Sequence, residues 1–263
     1  MKRFIIDMKK HYRYALYSAK SELKAEVADS YLNWIWWILE PISFMLIYTF
    51  IFGYVFSSKE PYFPVFVYIG LTIWEFFNKN IKASVKMIKR NKGIIAKVYL
   101  PKFILVESTM MVNGFKMLIS FIIIVILMIG YQVPLSANLL FAVPLLAILA
   151  LVTFGLMCLI MHFGVYVMDL ANIINIALRL VFYMTGIFYS IETRIGAKSP
   201  EIAAILGKCN PIAFLVNSFR KCIIYNETPS IQLMIIWFVI GILISTLGIR
   251  TIYKNENSYV KVI

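Results

Sequence analysis

Histidine and cysteine are scarce in this sequence, and acidic residues are half as frequent as basic ones. Its 263 residues include two histidines, three cysteines, 13 Asp or Glu and 26 Lys or Arg. The histidines, His11 and His162, provide neither a histidine-based catalytic triad nor a zinc site of the H-E-x-x-H type. The cysteines, Cys158, Cys209 and Cys222, lack metal-ligand spacing, and their odd number argues against a disulfide framework. We therefore expect no metal site and no catalytic residue, and whether Cys209 pairs with Cys222 stays open.

A phosphate-binding loop is also missing. No G-x-x-x-x-G-K-[ST] string occurs, and the nearest one, Leu206-Gly207-Lys208-Cys209, lacks both the first glycine and the hydroxyl residue. The chain is therefore predicted to bind no cofactor of its own. Any ATP and Mg²⁺ on which it depends must be bound by another polypeptide.

Apolar residues, by contrast, dominate the chain. They make up 61% of it against 15% charged residues, and the mean hydropathy is +0.82. These values exceed what a soluble core needs and are typical of polytopic membrane proteins. We predict an all-α fold with one membrane domain over residues 1–263 and six transmembrane helices, each long enough for about 30 Å of hydrocarbon. The predicted spans are 32–57, 63–83, 104–130, 138–168, 172–190 and 231–252.

Positive charge is concentrated beside these spans. Of the 26 Lys and Arg residues, 15 lie in residues 1–31 and 79–102. The net charge of +13 could suggest a nucleic-acid partner, but basic clusters that flank membrane spans are typical of cytoplasmic segments. We therefore expect no nucleic acid, a multi-pass protein of the cytoplasmic membrane with both termini in the cytoplasm, and a cytoplasmic tail over residues 253–263.

Residues 1–31 form a predicted amphipathic segment. Apolar residues recur there at steps of three and four, which predicts a helix lying in the plane of the membrane at its cytoplasmic face. The alternative is a solvated cytosolic tail. The apolar stripe consists of Phe4, Met8, Tyr12, Ala15, Ala19 and Leu23.

A short basic island, residues 88–103, separates the second and third predicted spans. Its sequence is IKRNKGIIAKVYLPKF. Asn91 is suited to cap a helix and Pro101 forbids continuation beyond Leu100, so the pattern predicts a cytoplasmic helix of about eight residues. Because this helix is too short and too charged to enter lipid, its apolar face should dock onto a cytosolic partner. That face consists of Ile94, Ile95, Val98 and Tyr99.

The long external connection, residues 191–230, contains two short pieces with their own helix signals. Ser199, followed by a proline, begins the first piece and Gly207 ends it, while Asn210 and Pro211 begin the second. Both pieces are apolar and too short to span a bilayer. Such segments re-enter the membrane or lie on its outer surface where protein shields them. The sequence therefore predicts two short re-entrant external helices.

The order of these segments resembles one known family. The first span reads YLNWIWWILEPISF, the second opens with PYFPVFVYIGLTIWEFF, the island contains NKGIIAKVYLPKF, and GIFYSIE and KCNPIAFLVNSFRKCI precede the last span. Together with the amphipathic amino terminus, they resemble the permease subunit of type-2 ABC exporters of lipid-linked polysaccharide, such as O-antigen, capsule or teichoic acid. The resemblance covers nearly the whole chain.

This resemblance implies a role for each segment. The island would be a coupling helix that docks into a separate ATPase, and the short external helices would form a gate at the outer leaflet. It also implies a homodimer with two copies of that ATPase, in a bacterial membrane, around a lipid-linked glycan. The implied coupling residues are Asn91, Lys92, Ile94, Ile95, Val98, Tyr99, Pro101 and Phe103, and the implied gate residues are Pro200, Asn210, Pro211 and Phe214.

Four charged residues fall at membrane depth, where each costs about 2.5 to 3.5 kcal/mol unless it meets a partner or water. Glu75 and Lys116 are placed at similar depth, which predicts an ion pair between the second and third spans, with substrate contact as the alternative. Glu40 precedes Pro41, whose ring frees backbone carbonyls, so we expect it in a hydrated cleft. The fourth residue, Arg179, would suit a phosphate-bearing substrate.

Aromatic residues recur along one face of the first span. Rings that stack weakly and repeatedly on sugars would serve a glycan crossing the membrane, whereas the alternative is an interfacial belt with ordinary packing. Mid-span residues such as Phe44 and Tyr48 fit the belt less well. The predicted substrate path consists of Trp37, Phe44, Tyr48, Phe52, Arg179, Phe182 and Tyr189.

The sequence thus favours a transport subunit with no enzymatic activity of its own. In the mechanism implied by the resemblance, closure of the ATPase moves the coupling helix and opens a path at the dimer interface. Two alternatives stay open: the permease of a drug or small-lipid exporter, and a membrane-embedded enzyme of envelope synthesis. The scarcity of histidine weakens the second alternative.

Overall fold

Helices form the regular structure of the chain. The computed structural model describes residues 2–28, 32–57 and 60–262, and no β-strand occurs within these ranges, which confirms the all-α fold. The helices are α1 (Lys2–Ala28), α2 (Trp36–Tyr48), α3 (Phe63–Val85), α4 (Met87–Arg90), α5 (Lys92–Ile95), α6 (Phe103–Gly130), α7 (Ala142–Tyr166), α8 (Leu170–Met184), α9 (Ile191–Arg194), α10 (Pro200–Cys209), α11 (Pro211–Ile223) and α12 (Ile231–Val262). Short 3₁₀ helices at Asn33–Ile35 and Ala137–Phe141 precede α2 and α7, and α2 continues as a π-helix over Thr49–Val55.

Four helical stretches in the described part of the chain are long and apolar enough to cross a membrane. They correspond to the first, third, fourth and sixth predicted spans, and the bent pair of α10 and α11 would make a fifth crossing if it counts as one span. The four stretches are Trp36–Val55, Phe103–Gly130, Ala137–Tyr166 and Ile231–Tyr259.

The other two predicted spans are helical but differ from an ordinary crossing. Helix α8 has 15 residues and ends at Met184, whereas about 20 residues are needed to cross the hydrocarbon core. Helix α3 has 23 residues, but its second half carries Glu75, Lys79 and Lys82. The six-span count therefore stays a prediction.

Helix α3 lies at the centre of the molecule. It packs against α2, α6, α7, α8 and α11, and most of its residues are buried. Its buried polar groups bond within the protein: the Thr72 hydroxyl donates to the Tyr68 carbonyl at 2.9 Å, and Asn80 Nδ2 donates to the Phe76 carbonyl at 2.8 Å. Because protein surrounds α3, this helix tolerates polar and charged residues that a lipid-facing helix would not.

Helices α7 and α12 pack closely through small residues. A Cβ added at Gly155 would lie 2.6 Å from the backbone nitrogen of Ser245, so glycine permits the two backbones to approach. The Ser245 hydroxyl donates to the Leu151 carbonyl across the interface at 2.8 Å. His162 on α7 lies 2.9 Å from the Tyr259 hydroxyl on α12, which gives this histidine a packing role with a satisfied hydrogen bond.

Helix α1 packs against α6 through part of the predicted stripe. Ala15 and Ala19 are buried, and the Phe4 ring contacts Phe103 with centroids 4.8 Å apart. Tyr12 is 48% exposed and does not belong to this packed face. The last three residues of the predicted segment, 29–31, lie outside the described ranges, and its placement in the membrane plane stays a prediction.

The external connection contains three short helices, of which α9 was not predicted. Asn210 Oδ1 accepts hydrogen bonds from the backbone N–H groups of Ile212 and Ala213 at 3.0 and 3.3 Å, which confirms its capping role. Helix α10 begins at Pro200 with Ser199 in the N-cap position, as predicted, although the Ser199 side chain makes no cap bond. The predicted end was wrong, because α10 continues past Gly207 to Cys209. The chain stays helical until the residue before Pro211, where α-helical backbone is disfavoured.

The predicted orientation can be tested by labelling single cysteines. In a variant without Cys158, Cys209 and Cys222, a cysteine at Lys97 should react with a membrane-impermeant maleimide only from the cytoplasm, and one at Lys198 only from outside. Both positions are exposed in the structure. The opposite accessibility would contradict a cytoplasmic island; a further predicted external position, Lys59, lies outside the described residues.

Candidate functional site

Two adjoining cavities open between α2 and the central helix α3. The first has a volume of about 290 Å³ and also meets α1 and α6, while the second has a volume of about 370 Å³ and also meets α8. Phe44, Leu71 and Glu75 lie on the walls of both. The two cavities therefore lie side by side along α3, with these three residues as their common wall.

The second cavity, called the aromatic groove below, brings together four predicted path residues. Aromatic rings and one guanidinium face each other across it, although α2 and α8 are far apart in the sequence. Its side walls are formed by Phe44, Tyr48, Trp74, Arg179, Phe182 and Tyr183. The Trp74 and Phe182 rings contact each other with centroids 5.2 Å apart. No charged residue that the structure describes pairs with Arg179.

Two groove residues, Trp74 and Tyr183, were missed by the sequence analysis. Tyr183 follows Arg179 by four residues and therefore lies on the same helical face, so this spacing could have identified it. Trp74 gave no such signal, because the part of α3 that precedes it, residues 63–73, is almost entirely apolar and periodicity cannot select one face there.

The remaining predicted path residues lie outside the groove. Trp37 lines the first cavity, where its ring meets Phe115 with centroids 6.0 Å apart. Phe52 stacks on Phe188 at 4.8 Å and lines neither cavity. The Tyr189 hydroxyl donates to the Tyr183 carbonyl at 2.7 Å, which ties it to the end of α8.

The first cavity contains three of the four charged residues that were predicted at membrane depth, but their pairing differs. The predicted ion pair between Glu75 and Lys116 is wrong: Lys116 pairs with Glu26 of α1, and Glu75 pairs with Lys79 at 3.3 Å. The end of α1 reaches α6 and supplies a nearer carboxylate. Glu40 pairs with Lys79 at 3.4 Å and lines the cavity with half of its side chain exposed, which agrees with the predicted cleft.

The island between α3 and α6 folds differently from the single helix predicted over Asn91 to Leu100. It contains two one-turn helices, α4 and α5, and the second ends at Ile95. Asn91 occupies the N-cap position of α5, but its side chain makes no cap bond, and its Nδ2 donates back to the Met87 carbonyl at 2.8 Å. After Ile95 the chain continues through a turn to Pro101 without further helix.

Three of the predicted coupling residues present apolar surface outward. Ile94, Val98 and Tyr99 are 41%, 60% and 59% exposed, respectively. Ile95 and Phe103 are instead buried within this chain. Of the other predicted coupling residues, Lys92 is exposed, Asn91 is partly buried and Pro101 is buried. The name docking surface is used below for Ile94, Val98 and Tyr99.

Tyr99 also ties the docking surface to both ends of the chain. Its hydroxyl accepts a hydrogen bond from Arg3 of α1 at 2.6 Å and donates one to Glu256 of α12 at 3.2 Å. Arg3 and Glu256 form an ion pair at 2.8 Å, and the hydrogen bond to Glu256 raises the pKa of Arg3 above its usual value. Sequence reasoning missed this junction, because its members are separated by 96 and 157 residues.

The predicted external gate residues fall on both sides of a sharp bend. Helices α10 and α11 meet at an angle of 96° at Asn210 and Pro211. Asn210 Nδ2 donates to the Thr185 hydroxyl at 3.2 Å, which joins this bend to the end of α8. Pro200 is exposed at the start of α10, whereas Phe214 is buried in the core.

The chain is similar to permeases of O-antigen export systems. No family model matches the chain. Two O-antigen export system permease proteins RfbA of Klebsiella pneumoniae are 26% and 24% identical over 243 residues, which cover 92% of this chain and 92% of each relative. An RfbA permease of Myxococcus xanthus is 26% identical over 212 residues, or 80% of both chains. The resemblance to ABC polysaccharide-exporter permeases is confirmed.

One buried residue of this chain was missed altogether. Arg220 of α11 is 3% exposed and donates to three carbonyls, those of Phe66, Gly186 and Ile187, at 3.1, 2.8 and 2.7 Å. Its guanidinium also lies 3.4 Å from the centroid of the Phe66 ring. A Cβ at Gly70 would come within 2.8 Å of Arg220 Nη2, so glycine leaves the room that the guanidinium occupies.

Arg220 therefore joins α3, α11 and the end of α8. Gly186, with a φ of +69°, turns the chain out of α8 in the left-handed conformation that glycine favours. Arg220 satisfies the carbonyls that this turn leaves without helical partners. In the sequence it was indistinguishable from its neighbour Lys221, which forms a more exposed pair with Glu192.

Proposed function

We propose that this permease is the transmembrane subunit of an ABC exporter that moves a lipid-linked polysaccharide of the O-antigen type outward across the cytoplasmic membrane of a bacterium. A separate ATPase supplies the energy. The similarity to O-antigen export permeases over 80 to 92% of the chain supports this proposal.

The aromatic groove is the structural feature that best supports transport of a glycan. A polymer that slides must be held by contacts that are individually weak, because tight hydrogen bonding at one position would stop it. Aromatic faces provide such contacts to the apolar faces of sugar rings, and the groove offers Phe44, Tyr48 and Phe182 together with Arg179 for a phosphate.

A homodimer with two ATPases fits this arrangement. The groove is open along α2 and α8, and both helices expose large apolar side chains outward, including Leu46 and Ile47 on α2 and Ile176 and Leu180 on α8. A second copy facing these surfaces would enclose the groove on its open side. Movement of the ATPase against the docking surface would reach the groove through α3, which the island follows directly.

Teichoic acid is a second substrate of the same chemical kind, since it also presents sugars or polyols with phosphates. A drug or small-lipid exporter would not need two cavities that adjoin along α3. A membrane-embedded enzyme of envelope synthesis would need catalytic groups, and the charged residues of the first cavity are instead paired with one another.

Export of glycan by aromatic variants tests the proposal. Replacing Phe44 and Tyr48 with alanine should lower the surface glycan about tenfold, since each lost ring contact is worth about 0.5 to 1.5 kcal/mol. The measurement is surface glycan per amount of permease, because Tyr48 also packs on Phe188 with centroids 4.1 Å apart.

The matched control is the pair Phe50 and Tyr54 on the same span. These rings stack on each other at 5.8 Å and point away from the groove, with 61% and 80% of their surface exposed. Their replacement with alanine should leave export near the level of the unaltered protein. Equal export defects in the two variants would remove the aromatic groove from the substrate path.

A further inference from the structure

A third cavity lies below the aromatic groove, toward the island. It has a volume of about 320 Å³ and separates the end of α3 from the start of α8. Lys82, Lys86 and Arg90 line it at intervals of four residues, which places them in a row on one side of the α3–α4 segment. Asn175 of α8 forms part of the opposite wall.

The charge in this cavity is not balanced. No carboxylate lies among its lining residues. Arg90 pairs with Glu22 at 3.1 Å, but Lys82 and Lys86 form no ion pair or hydrogen bond with any residue that the structure describes. The cavity therefore offers the two ammonium groups of Lys82 and Lys86 to a negatively charged ligand.

The row is continuous with the aromatic groove. Lys82 and Asn175 line both cavities, and Arg179 follows Asn175 by one helical turn on α8. Arg179 is also unpaired within the described residues. The cations thus follow one another along the walls of the two cavities, with the uncharged Asn175 between Lys82 and Arg179. The carboxylate of Glu75, which also lines the groove, is paired with Lys79.

We propose that Lys86, Lys82 and Arg179 form a phosphate-binding track that receives the diphosphate of a lipid-linked polysaccharide and leads it into the aromatic groove. This inference rests on the proposed function. Exposed lysines hold phosphate as point charges and release it readily, which suits a transient station. Once the phosphate reaches Arg179, the adjacent sugar would lie among the aromatic rings.

Phosphates of ordinary anionic membrane lipids are the other source of the same chemistry. Basic residues at the cytoplasmic face commonly contact them. A residue that only anchors the protein to headgroups needs no wall opposite it. Here α8 forms such a wall, with Ala171, Ile174 and Asn175, and the cleft continues inward to Arg179. This geometry favours the lipid-linked diphosphate.

Binding measurements on the permease with its ATPase in nanodiscs test the track. The probe is undecaprenyl diphosphate, titrated in discs of neutral phosphatidylcholine at about 0.1 M salt. A variant with Lys82→Gln and Lys86→Gln should bind the probe about tenfold more weakly, and Arg179→Gln should also weaken binding. Each substitution removes a cation that attracts the diphosphate near the membrane surface. A charge-matched control, Lys20→Gln with Lys89→Gln, alters exposed lysines that line no described cavity and should bind the probe normally.

Phosphatidylglycerol, added as a competitor, distinguishes the two lipid sources. Weaker binding of the diphosphate with unchanged binding of phosphatidylglycerol supports the track. If binding of the diphosphate and of phosphatidylglycerol weakens in parallel, the lysines are general headgroup anchors and the track is overturned. Unchanged binding of the diphosphate in the lysine variant would also overturn the track. If the unaltered permease does not bind the probe at all, the proposed lipid-linked substrate is wrong as well, so the two failures are distinguishable. Retained ATPase association and thermal stability show that each variant is folded.

Discussion

Replacement of Arg220 with methionine is expected to remove most of the folded protein. The Gly186 and Ile187 carbonyls would lose their guanidinium donor in a buried position. Each buried carbonyl left without a partner costs roughly 1 to 3 kcal/mol, so the total loss is roughly 2 to 6 kcal/mol, a large part of the stability of a typical domain. The measurement is thermal unfolding of the detergent-solubilised protein, followed by size-exclusion chromatography.

Two further variants show whether this loss of stability arises from the hydrogen bonds that Arg220 donates to backbone carbonyls. Arg220→Lys keeps the charge but cannot reach three carbonyls at once, so it should be intermediate in stability. Lys221→Met, one residue along α11, breaks only the more exposed pair with Glu192 and should cost less than about 1 kcal/mol. Equal unfolding temperatures for Arg220→Met and Lys221→Met would show that Arg220 does not join the three helices energetically.

Placing aspartate at both Ile94 and Val98 should release the proposed ATPase from the permease. The two side chains are exposed in the single chain, so the substitution should be tolerated during folding. In a contact with a partner, however, an unpaired carboxylate would be buried at a cost of about 3 to 5 kcal/mol. The amount of ATPase that co-purifies with the permease should fall at least tenfold.

Tyr99 is left unchanged in this experiment because its hydroxyl bonds to Arg3 and Glu256. A charge introduced there would disturb α1 and α12 as well as the docking surface. Lys97→Ala is the control within the island and should retain the ATPase. Full co-purification with the aspartate variant would mean that the partner binds elsewhere.

The junction at Tyr99 also connects helix α1 to the proposed docking surface. Arg3 and Asp7 of α1 contact Glu256 and Tyr253 of α12 at 2.8 and 2.7 Å. A displacement of the island by a partner would therefore be transmitted to both termini as well as to α3. Burial of Lys102 beside this junction lowers the pKa of its ammonium group, whose Nζ donates to the Leu100 carbonyl at 3.0 Å.

Local features of this protein could be predicted from its sequence. Hydropathy over about 20 residues identified the four long apolar helices, because crossing a bilayer depends on segment length and composition. The cap at Asn210 could also be predicted, because a cap requires only residues that are adjacent in the chain. The spacing of Phe44 and Tyr48 on α2 and of Arg179 and Phe182 on α8 correctly placed each pair on one helical face.

Relations between distant segments were decided only by the tertiary structure. Lys116 meets Glu26 instead of Glu75 because α1 packs along α6, and nothing in either local sequence indicates that packing. Arg220 became a buried link between three helices, while Lys221 beside it stayed near the surface. Helical periodicity gives the direction of a side chain about its own axis, but which helix lies in that direction depends on how all of the helices pack together.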